Sequence, residues 1–290
     1  MSFKHKHSLG QNFIIDEFLL EDIADESGIT KDDLVLEIGP GNGALTRCLC
    51  NRSKFVVSVE IDKTLLPLLK DNLKEYENVS IINADFMNLD FQTILTEYKQ
   101  KLTNKNLNDD FSKIKVVANL PYYITSPIIN MLLQNPYVSE MTLMVQKEVA
   151  ERIVAKPNGK DYGILTLVCN FFADTEMIMI VSKDCFFPKP KVDSAVVHFS
   201  KHKEFLNEKN KIDFINGKSS YDEENDKIFK LIKASFAQRR KKLLNSLSNA
   251  GYDKNLLATA FSKLKLDENV RAENLSLLDY KNLYNYLNNS

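Results

Sequence analysis

The sequence has little of what marks metal proteins, disulfide-rich proteins and membrane proteins. Its four cysteines show no paired metal spacing, and its four histidines form no HExxH set. No apolar run approaches the roughly 20 residues that a membrane span requires. The opening residues MSFKHKHS also lack the apolar core of a signal peptide. These absences predict a soluble cytoplasmic protein with reduced thiols, no metal site and no membrane partner.

The overall charge does not indicate a polyanionic partner, because the net charge of the 290 residues is only −1. The distribution is less even. Residues 227–244 carry seven Lys or Arg and no acid, whereas residues 204–226 carry seven acids against three lysines. A basic helix-like segment beside an acidic one is typical of a nucleic-acid face, but two ordinary solvated faces would look the same.

Over about the first 200 residues, strand-like and helix-like segments alternate. The strand-like segments are Leu34–Ile38, Phe55–Ile61, Val79–Asn83, Lys115–Ala118, Met141–Val145, Met177–Val181 and Ala195–Phe199. The helix-like segments between them include Ala44–Asn51, Lys63–Tyr76, Pro127–Leu133 and Lys147–Ala155. This alternation predicts an α/β fold, with a Rossmann-like parallel sheet covered by helices on both faces.

Beyond residue 200 the pattern becomes purely helical. The helix-like segments are Ile228–Phe236, Arg239–Asn249, Leu256–Phe261 and Leu275–Leu287. Residues 204–226 are polar and strand-poor, as is Leu102–Ser112, and both segments are predicted to lie on the surface. The sequence therefore predicts a sheet domain over residues 1–203 and a small all-helical C-terminal domain over residues 204–290.

Acids and glycines stand at the ends of three successive predicted strands. The first strand runs into Glu37-Ile-Gly-Pro-Gly-Asn-Gly43, where glycines let the backbone turn sharply and approach a ligand. Glu60 ends the second strand and can accept two hydrogen bonds from a ribose diol. Asp85 follows the third and can accept from an adenine amino group, with Phe86 against the ring. Three such positions predict a nucleoside pocket, and the G-x-G-x-G spacing favours S-adenosylmethionine over NAD.

The fourth strand ends in Asn119-Leu-Pro-Tyr122. The Asn119 side-chain oxygen and the Leu120 carbonyl can accept the two N–H groups of an exocyclic adenine amine. Pro121 biases Leu120 toward an extended backbone, and Tyr122 offers a flat face to an extruded base. The amine becomes acidic as it gains positive charge, so the reaction needs no strong base. These residues predict methyl transfer to adenine N6 by positioning and electrostatics.

Taken together, these motifs resemble the adenine-N6 methyltransferases, and more narrowly the ribosomal RNA adenine dimethyltransferases. The stretches that carry the resemblance are Leu9-Gly-Gln-Asn-Phe13, Glu37-Ile-Gly-Pro-Gly41, Asn119-Leu-Pro-Tyr-Tyr-Ile-Thr125, Val145-Gln-Lys-Glu-Val-Ala-Glu-Arg152, Asp161-Tyr-Gly163, Phe186-Phe-Pro-Lys-Pro-Lys-Val-Asp-Ser194 and Ala234-Ser-Phe-Ala-Gln-Arg-Arg-Lys-Lys-Leu-Leu244. The match is best to the bacterial small-subunit branch, the kasugamycin-sensitivity methyltransferases. It implies an enzyme that makes N6,N6-dimethyladenosine at two adjacent adenosines, in the loop of the last helix of small-subunit (16S) ribosomal RNA.

The resemblance also implies roles for individual residues. Its cofactor-binding positions are Asn12, Ile14, Gly39, Gly41, Glu60, Asp85 and Asn119. Asn119 bridges the cofactor and the target amine, within a catalytic group that also includes Leu120, Pro121 and Tyr122. Phe186 matches the aromatic that sandwiches the target base against Tyr122, although a core role for Phe186 and use of Phe187 instead remain open.

The expected substrate is small-subunit ribosomal RNA, within a pre-assembled subunit because a near-neutral monomer would bind free RNA weakly. Four residues are candidates for phosphate contacts: Arg239, Arg240, Lys241 and Lys242. The segments Asp85–Asn119 and Glu204–Asp226 look longer than the family pattern, which leaves their contacts open.

Other functions compete with this interpretation. The alternatives are a large-subunit (23S) dimethyltransferase that confers macrolide resistance, a mainly non-catalytic small-subunit assembly factor, a DNA adenine methyltransferase and a nicotinamide-dependent dehydrogenase. The first shares the same catalytic residues, so the pocket cannot separate it from the small-subunit enzyme.

Overall fold

The computed structural model describes residues 12–102, 114–207, 209–210 and 223–288. Its strands are β1 (Phe13–Ile14), β2 (Leu34–Ile38), β3 (Phe55–Glu60), β4 (Val79–Asn83), β5 (Ile114–Asn119), β6 (Val138–Gln146), β7 (Ala173–Val181), β8 (Phe186–Phe187) and β9 (Ser194–Lys201). Its helices are α1 (Glu17–Glu26), α2 (Ala44–Arg52), α3 (Leu66–Asn72), α4 (Phe91–Leu102), α5 (Thr125–Gln134), α6 (Lys147–Ile153), α7 (Ile164–Phe172), α8 (Glu223–Phe236), α9 (Leu243–Asn249), α10 (Lys254–Lys263) and α11 (Leu277–Asn288). Most of the predicted loop Leu102–Ser112 and much of the segment 204–226 lie outside the described residues.

Seven strands form one sheet, in the order β4-β3-β2-β5-β6-β9-β7. Each predicted strand is present, and those at Leu34–Ile38 and Val79–Asn83 have the predicted bounds. The strands β2 and β3 are buried along their whole length, because α1 and α2 cover one face of the sheet while α4, α5 and α7 cover the other. The predicted α/β fold with helices on both faces is therefore confirmed.

The predicted parallel sheet has one antiparallel edge. The strands β4, β3, β2, β5 and β6 are parallel, but β9 pairs antiparallel with both β6 and β7. Only residues 182–193 connect β7 to β9, and they contain β8 and a short 3₁₀ turn. A parallel return requires a longer crossover, usually through a helix, so this short connection makes the pair antiparallel.

Two helices of the sheet domain were not predicted. The helix α7 has the sequence ILTLVCNFF, a short and mostly apolar run that periodicity alone does not distinguish from a buried strand. The helix α4 contributes Tyr98, which is fully buried and packs edge-on against Phe55 with ring centroids 6.0 Å apart. The helix α3 is shorter than the predicted Lys63–Tyr76.

The C-terminal helices α8 to α11 follow the predicted pattern, with one correction. The predicted helix Arg239–Asn249 begins only at Leu243, because Lys242 is extended (φ −58°, ψ 141°) and the Leu243 N–H donates to the Val270 carbonyl at 2.8 Å. The basic residues at 239–242 therefore lie in a turn. The rings of Phe171 (α7) and Phe229 (α8) lie 4.8 Å apart, so these helices pack directly on the sheet domain. The domain boundary at residue 203 stays a prediction.

Within the described ranges, none of the helices is both long enough and apolar enough to cross a membrane.

Candidate active site

A pocket opens at the carboxyl end of the parallel strands, between the ends of β2, β3 and β5. Its wall brings together the predicted residues Asn12, Ile14, Gly39, Gly41, Glu60, Asp85, Asn119, Leu120, Pro121 and Tyr122. They come from the N-terminal segment and from four successive strand ends. The parallel order of β4, β3, β2 and β5 is what gathers these distant positions at one edge.

The turn after β2 forms the floor of the pocket, and its glycines are left-handed, with φ +72° at Gly39 and φ +60° at Gly41. The Gly39 N–H donates to the Val59 carbonyl at 2.9 Å, which ties the turn to β3. A Cβ on Gly41 would lie 2.7 Å from the ring of Phe13. Glycine is therefore required at residue 41 both for its backbone conformation and for the close approach of the N-terminal segment.

Glu60 ends β3 and is 4% exposed. One of its carboxylate oxygens accepts from the Gly41 N–H at 3.2 Å, and the other accepts from the Asp62 N–H at 2.7 Å. Burial raises the pKa of Glu60, against these two backbone hydrogen bonds, which lower it. The carboxylate is thus held in one orientation on the pocket wall, next to the glycine turn.

Asp85 follows β4 and caps the short turn Phe86–Asn88. Its two oxygens accept from the Met87 N–H at 3.0 Å and from the Asn88 side chain at 2.8 Å. Phe86 lines the pocket but is only 7% exposed, so most of its ring belongs to the core.

Glu37 differs from the other two acids of the predicted series, because it is only 1% exposed. Its Oε2 accepts from the hydroxyls of Thr46 at 2.6 Å and Ser58 at 2.8 Å. Burial raises the pKa of Glu37 to about 7, although both hydrogen bonds lower it. Glu37 therefore joins β2, β3 and α2 beneath the glycine turn, and its bonded oxygen faces the protein.

Asn119 ends β5 and carries the amide, and contacts on both sides fix this strand end and the loop that follows it. The Asn119 Nδ2 donates to the main-chain carbonyl of Asn12 at 3.2 Å. The Leu120 N–H donates to the Met144 carbonyl of β6 at 3.1 Å, and the Leu120 side chain is buried. Pro121 has φ −59° and ψ 130°, and its carbonyl accepts from the Thr125 hydroxyl at 3.1 Å.

Tyr122 starts a short 3₁₀ turn and is half-buried, with its hydroxyl 2.9 Å from the Ser194 hydroxyl. Tyr123 also lines the pocket and is 57% exposed. The sequence analysis did not identify Ser194 as a partner of Tyr122. Ser194 ends one of the stretches that carry the family resemblance, and no spacing in the sequence pairs it with residue 122.

The second predicted aromatic, Phe186, is not on the pocket wall. It lies in β8, which pairs antiparallel with β1, so that Phe187 is opposite Phe13 and Phe186 is opposite Ile14. Phe186 is 3% exposed and packs in an apolar cluster with Ile14, whereas Phe187 is 58% exposed. Successive strand residues point to opposite faces, so only one of the two rings can face solvent, and in this structure it is Phe187.

This sheet order, glycine turn and amide-proline-tyrosine loop define a Rossmann-like methyltransferase. The model of the family described as ribosomal RNA adenine dimethylase matches residues 2–289. The chain belongs to that family.

Curated relatives match this chain over nearly its whole length. A protein of Clostridium botulinum (strain Loch Maree / Type A3), named ribosomal RNA small subunit methyltransferase A, is 41% identical over 282 residues, which cover 97% of this chain and 93% of the relative. The protein of the same name from Clostridioides difficile (strain 630) is 38% identical over 290 residues, with 99% and 92% covered. The predicted family is therefore confirmed.

Two solved structures share the fold. The dimethyladenosine transferase from Plasmodium falciparum superposes with a TM-score of 0.71 at 24% identity, covering 93% of this chain and 95% of the other. The 23S rRNA methyltransferase ErmE superposes with a TM-score of 0.68 at 23% identity, covering 95% and 99%. At these identities the likeness concerns the architecture alone.

Proposed function

We propose that the protein transfers methyl groups from S-adenosylmethionine to N6 of two adjacent adenosines, in the loop of the last helix of small-subunit (16S) ribosomal RNA. The product is N6,N6-dimethyladenosine at both positions. The observation that carries the proposal is that Asn119, Leu120 and Tyr122 line the same pocket as the glycine turn and the two acids at the ends of β3 and β4. One cavity thus combines a nucleoside site with acceptors for an amine.

The pocket fits S-adenosylmethionine in the chemistry of its wall. A side chain at Gly39 would meet nothing within 4 Å, so its backbone is open to close contact, and Glu60 offers a fixed carboxylate to a ribose diol. Asp85 stands one strand further on, where an adenine amino group would lie in the predicted arrangement. Asn12, Ile14 and Gly39 complete the wall on the N-terminal side. The bound cofactor supplies an electrophilic methyl group on a sulfonium sulfur.

The Asn119–Tyr122 loop would hold the target amine by two acceptors. The Asn119 Nδ2 donates to the Asn12 carbonyl, which leaves the side-chain oxygen of Asn119 as the acceptor for one amine N–H. The Leu120 carbonyl would accept the other. Together they hold the amine so that its lone pair faces the methyl group. Because the nitrogen becomes acidic as it gains positive charge, no strong base has to stand beside it.

The target base would leave its stack and lie against an aromatic face. Tyr122 and the exposed Tyr123 line the pocket, and the exposed Phe187 pairs with Phe13 of the pocket wall. Phe186 keeps its predicted role only if β8 rearranges, because its ring is now in the core. We therefore favour Phe187 as the second face of the sandwich.

The proposed partner is small-subunit ribosomal RNA within a pre-assembled subunit, bound by a monomer in the cytoplasm, where ribosomal subunits are found. Support for an RNA contact comes from a polar cleft beside the turn at residues 237–242. The cleft is lined by Gln238, Lys241, Asn245, Ser248, Asn249 and Lys254. Arg239 is less suited to phosphate contact, because its guanidinium already binds Glu273 at 3.0 Å and the Lys160 carbonyl.

The relatives favour the small-subunit substrate over the large-subunit alternative. The proteins that are 38% to 41% identical to this chain are named for the small subunit. The large-subunit enzyme ErmE is 23% identical and shares the fold.

The test is methyl transfer from labelled S-adenosylmethionine to unmethylated small subunits, with large subunits and naked RNA in parallel. Mass spectrometry of the digested RNA identifies the modified nucleoside. Dimethyladenosine formed only in small subunits is the expected result. Labelling of large subunits instead would overturn the proposed substrate. Binding of small subunits without transfer would favour an assembly factor.

A further inference from the structure

A fully buried serine holds the hydroxyl of Tyr122. The Ser194 Oγ lies 2.9 Å from the Tyr122 hydroxyl oxygen, and Ser194 is 0% exposed. Ser194 is the first residue of β9 and pairs with Gln146 on one side and with Val181 on the other. Because β9 is paired with a strand on each side, the Ser194 backbone cannot move together with the Tyr122 side chain. The serine hydroxyl is therefore a fixed point for the end of the ring.

The other end of the Tyr122 side chain is fixed as well. Pro121 locks the backbone angle just before it, and the Pro121 carbonyl accepts from the Ile124 N–H at 3.2 Å. Two torsion angles place a tyrosine ring relative to its backbone. The hydroxyl oxygen lies on the Cβ–Cγ axis, so with the Cα held by the turn its contact with Ser194 fixes χ1 and the direction of that axis. The position of the ring is thus set before any substrate binds.

The surroundings of the hydroxyl also argue against a proton-transfer role. Its partner Ser194 is a neutral, buried hydroxyl, which is a poor acceptor for a proton. Burial raises the pKa of Tyr122, against the smaller lowering effect of the Ser194 hydrogen bond. Tyr122 consequently stays protonated at neutral pH, and its hydroxyl serves as an anchor.

We propose that Ser194 is a positioning residue that holds the Tyr122 side chain in one χ1 rotamer, so that the ring on which the target base stacks has a fixed position. This rests on the proposed function, in which Tyr122 receives an extruded adenine. A ring fixed in advance loses no rotamer freedom when the base arrives, and it holds the amine at one distance from the methyl group. The hydroxyl explains why tyrosine, and not phenylalanine, serves this purpose here.

The first test needs no substrate. Protein labelled with ¹³C in its tyrosine rings is compared with its Ser194→Ala variant by NMR relaxation, and a Tyr122→Phe spectrum identifies the Tyr122 signal. We expect one χ1 rotamer, and hence a rigid ring axis, in the unmutated protein and χ1 averaging in Ser194→Ala. Ser200→Ala is the matched control, because Ser200 lies in the same strand and is exposed. An equally rigid Tyr122 ring in Ser194→Ala would overturn the proposal.

The second test measures the consequence for methyl transfer. Ser194→Ala and Tyr122→Phe should each lower kcat on small subunits about three- to tenfold, the range expected for one hydrogen bond. The Kd for S-adenosylmethionine should not change, and the double variant should lose no more than either single one. Additive losses, or a changed KM with kcat intact, would overturn the positioning role.

Failure of the proposed function and failure of the proposed Ser194 role give different results. If the unmutated protein transfers no methyl group to any RNA, the proposed function fails while ring relaxation still decides the anchoring. If Ser194→Ala does not fold, Tyr122→Phe removes the same hydrogen bond from the half-buried partner, and unchanged kcat in that variant overturns the proposal.

Discussion

The side-chain nitrogen of Asn119 lies 3.2 Å from the main-chain oxygen of Asn12. This contact joins the end of the fourth parallel strand to an N-terminal segment more than a hundred positions away. It also fixes which end of the amide faces the pocket, because only the nitrogen can donate to a carbonyl. A backbone group of the N-terminal segment thus orients the acceptor on which methyl transfer depends in this account.

The orientation of the amide can be tested by Asn119→Asp. Aspartate keeps an acceptor toward the pocket but cannot donate to Asn12, and its charge is repelled by that carbonyl. We expect kcat to fall about 10²-fold, as when one preorganised polar group of an active site is lost. Single-turnover methylation measures the loss, and calorimetry checks that the Kd for S-adenosylmethionine changes less than kcat. Full activity in Asn119→Asp would show that the Asn12 contact has no role in orientation.

The glycine turn gives a second prediction. Gly41→Ala places a methyl group 2.7 Å from the Phe13 ring at a backbone φ of +60°. We expect the Kd for S-adenosylmethionine to rise about tenfold or more, since Phe13 or the turn must move. Gly28→Ala is the matched control, because Gly28 has a φ of +62° with nothing within 4 Å of the added methyl. Both variants should lose about 1–2 kcal/mol of stability from the left-handed backbone. Only Gly41→Ala should also lose cofactor affinity, and equal losses of affinity in the two variants would contradict the account.

The buried carboxylate of Glu37 predicts a pH dependence of stability. Its pKa is raised from 4.5 to about 7 in the folded protein, so the folded state binds more protons than the unfolded state between these values. The free energy of unfolding should therefore fall by about 3 kcal/mol as pH rises from about 4.5 to about 7. Urea unfolding of the protein and of Glu37→Gln over this range isolates the effect. Parallel pH profiles for the two proteins would contradict the raised pKa.

The structure gives different roles to Lys241 and Arg239, although the sequence alone predicts phosphate contacts for both. Lys241→Ala should weaken RNA binding and reduce the salt slope of log K by about one unit, because an exposed lysine of the polar cleft would release a counterion. Arg239→Ala should leave the salt slope nearly unchanged and lower the melting temperature, because it breaks the contacts to Glu273 and Lys160. Binding of small subunits at several salt concentrations, with melting curves, gives both quantities. The reverse pattern would show that Arg239 contacts phosphate.

The positions of strand ends could be predicted from the sequence because they depend on local patterns. Apolar runs located β2 to β5, and in a parallel sheet their ends share one edge, which placed Glu60, Asp85 and Asn119 together. The helix α7 is a short apolar run that could equally be a buried strand, and the antiparallel edge depends on tertiary packing, so the sequence did not indicate either.

Contacts between distant segments could not be predicted for the same reason. The pairing of β1 with β8 decides that Phe186 is buried and Phe187 exposed, and this pairing follows from three-dimensional closure of the chain. The Ser194 anchor and the Arg239 ion pair likewise join segments that no sequence spacing relates. The predicted helix Arg239–Asn249 starts only at Leu243, because the backbone of Lys242 is extended.

The most direct measurement is the amount of N6,N6-dimethyladenosine formed in unmethylated small subunits by the protein and by Asn119→Ala, with cofactor binding measured on the same samples. The account predicts dimethyladenosine from the unmutated protein and a loss of at least about 10²-fold in Asn119→Ala. Cofactor affinity should be largely retained. Undiminished dimethyladenosine from Asn119→Ala would contradict the claim that the loop after the fourth parallel strand carries the transfer.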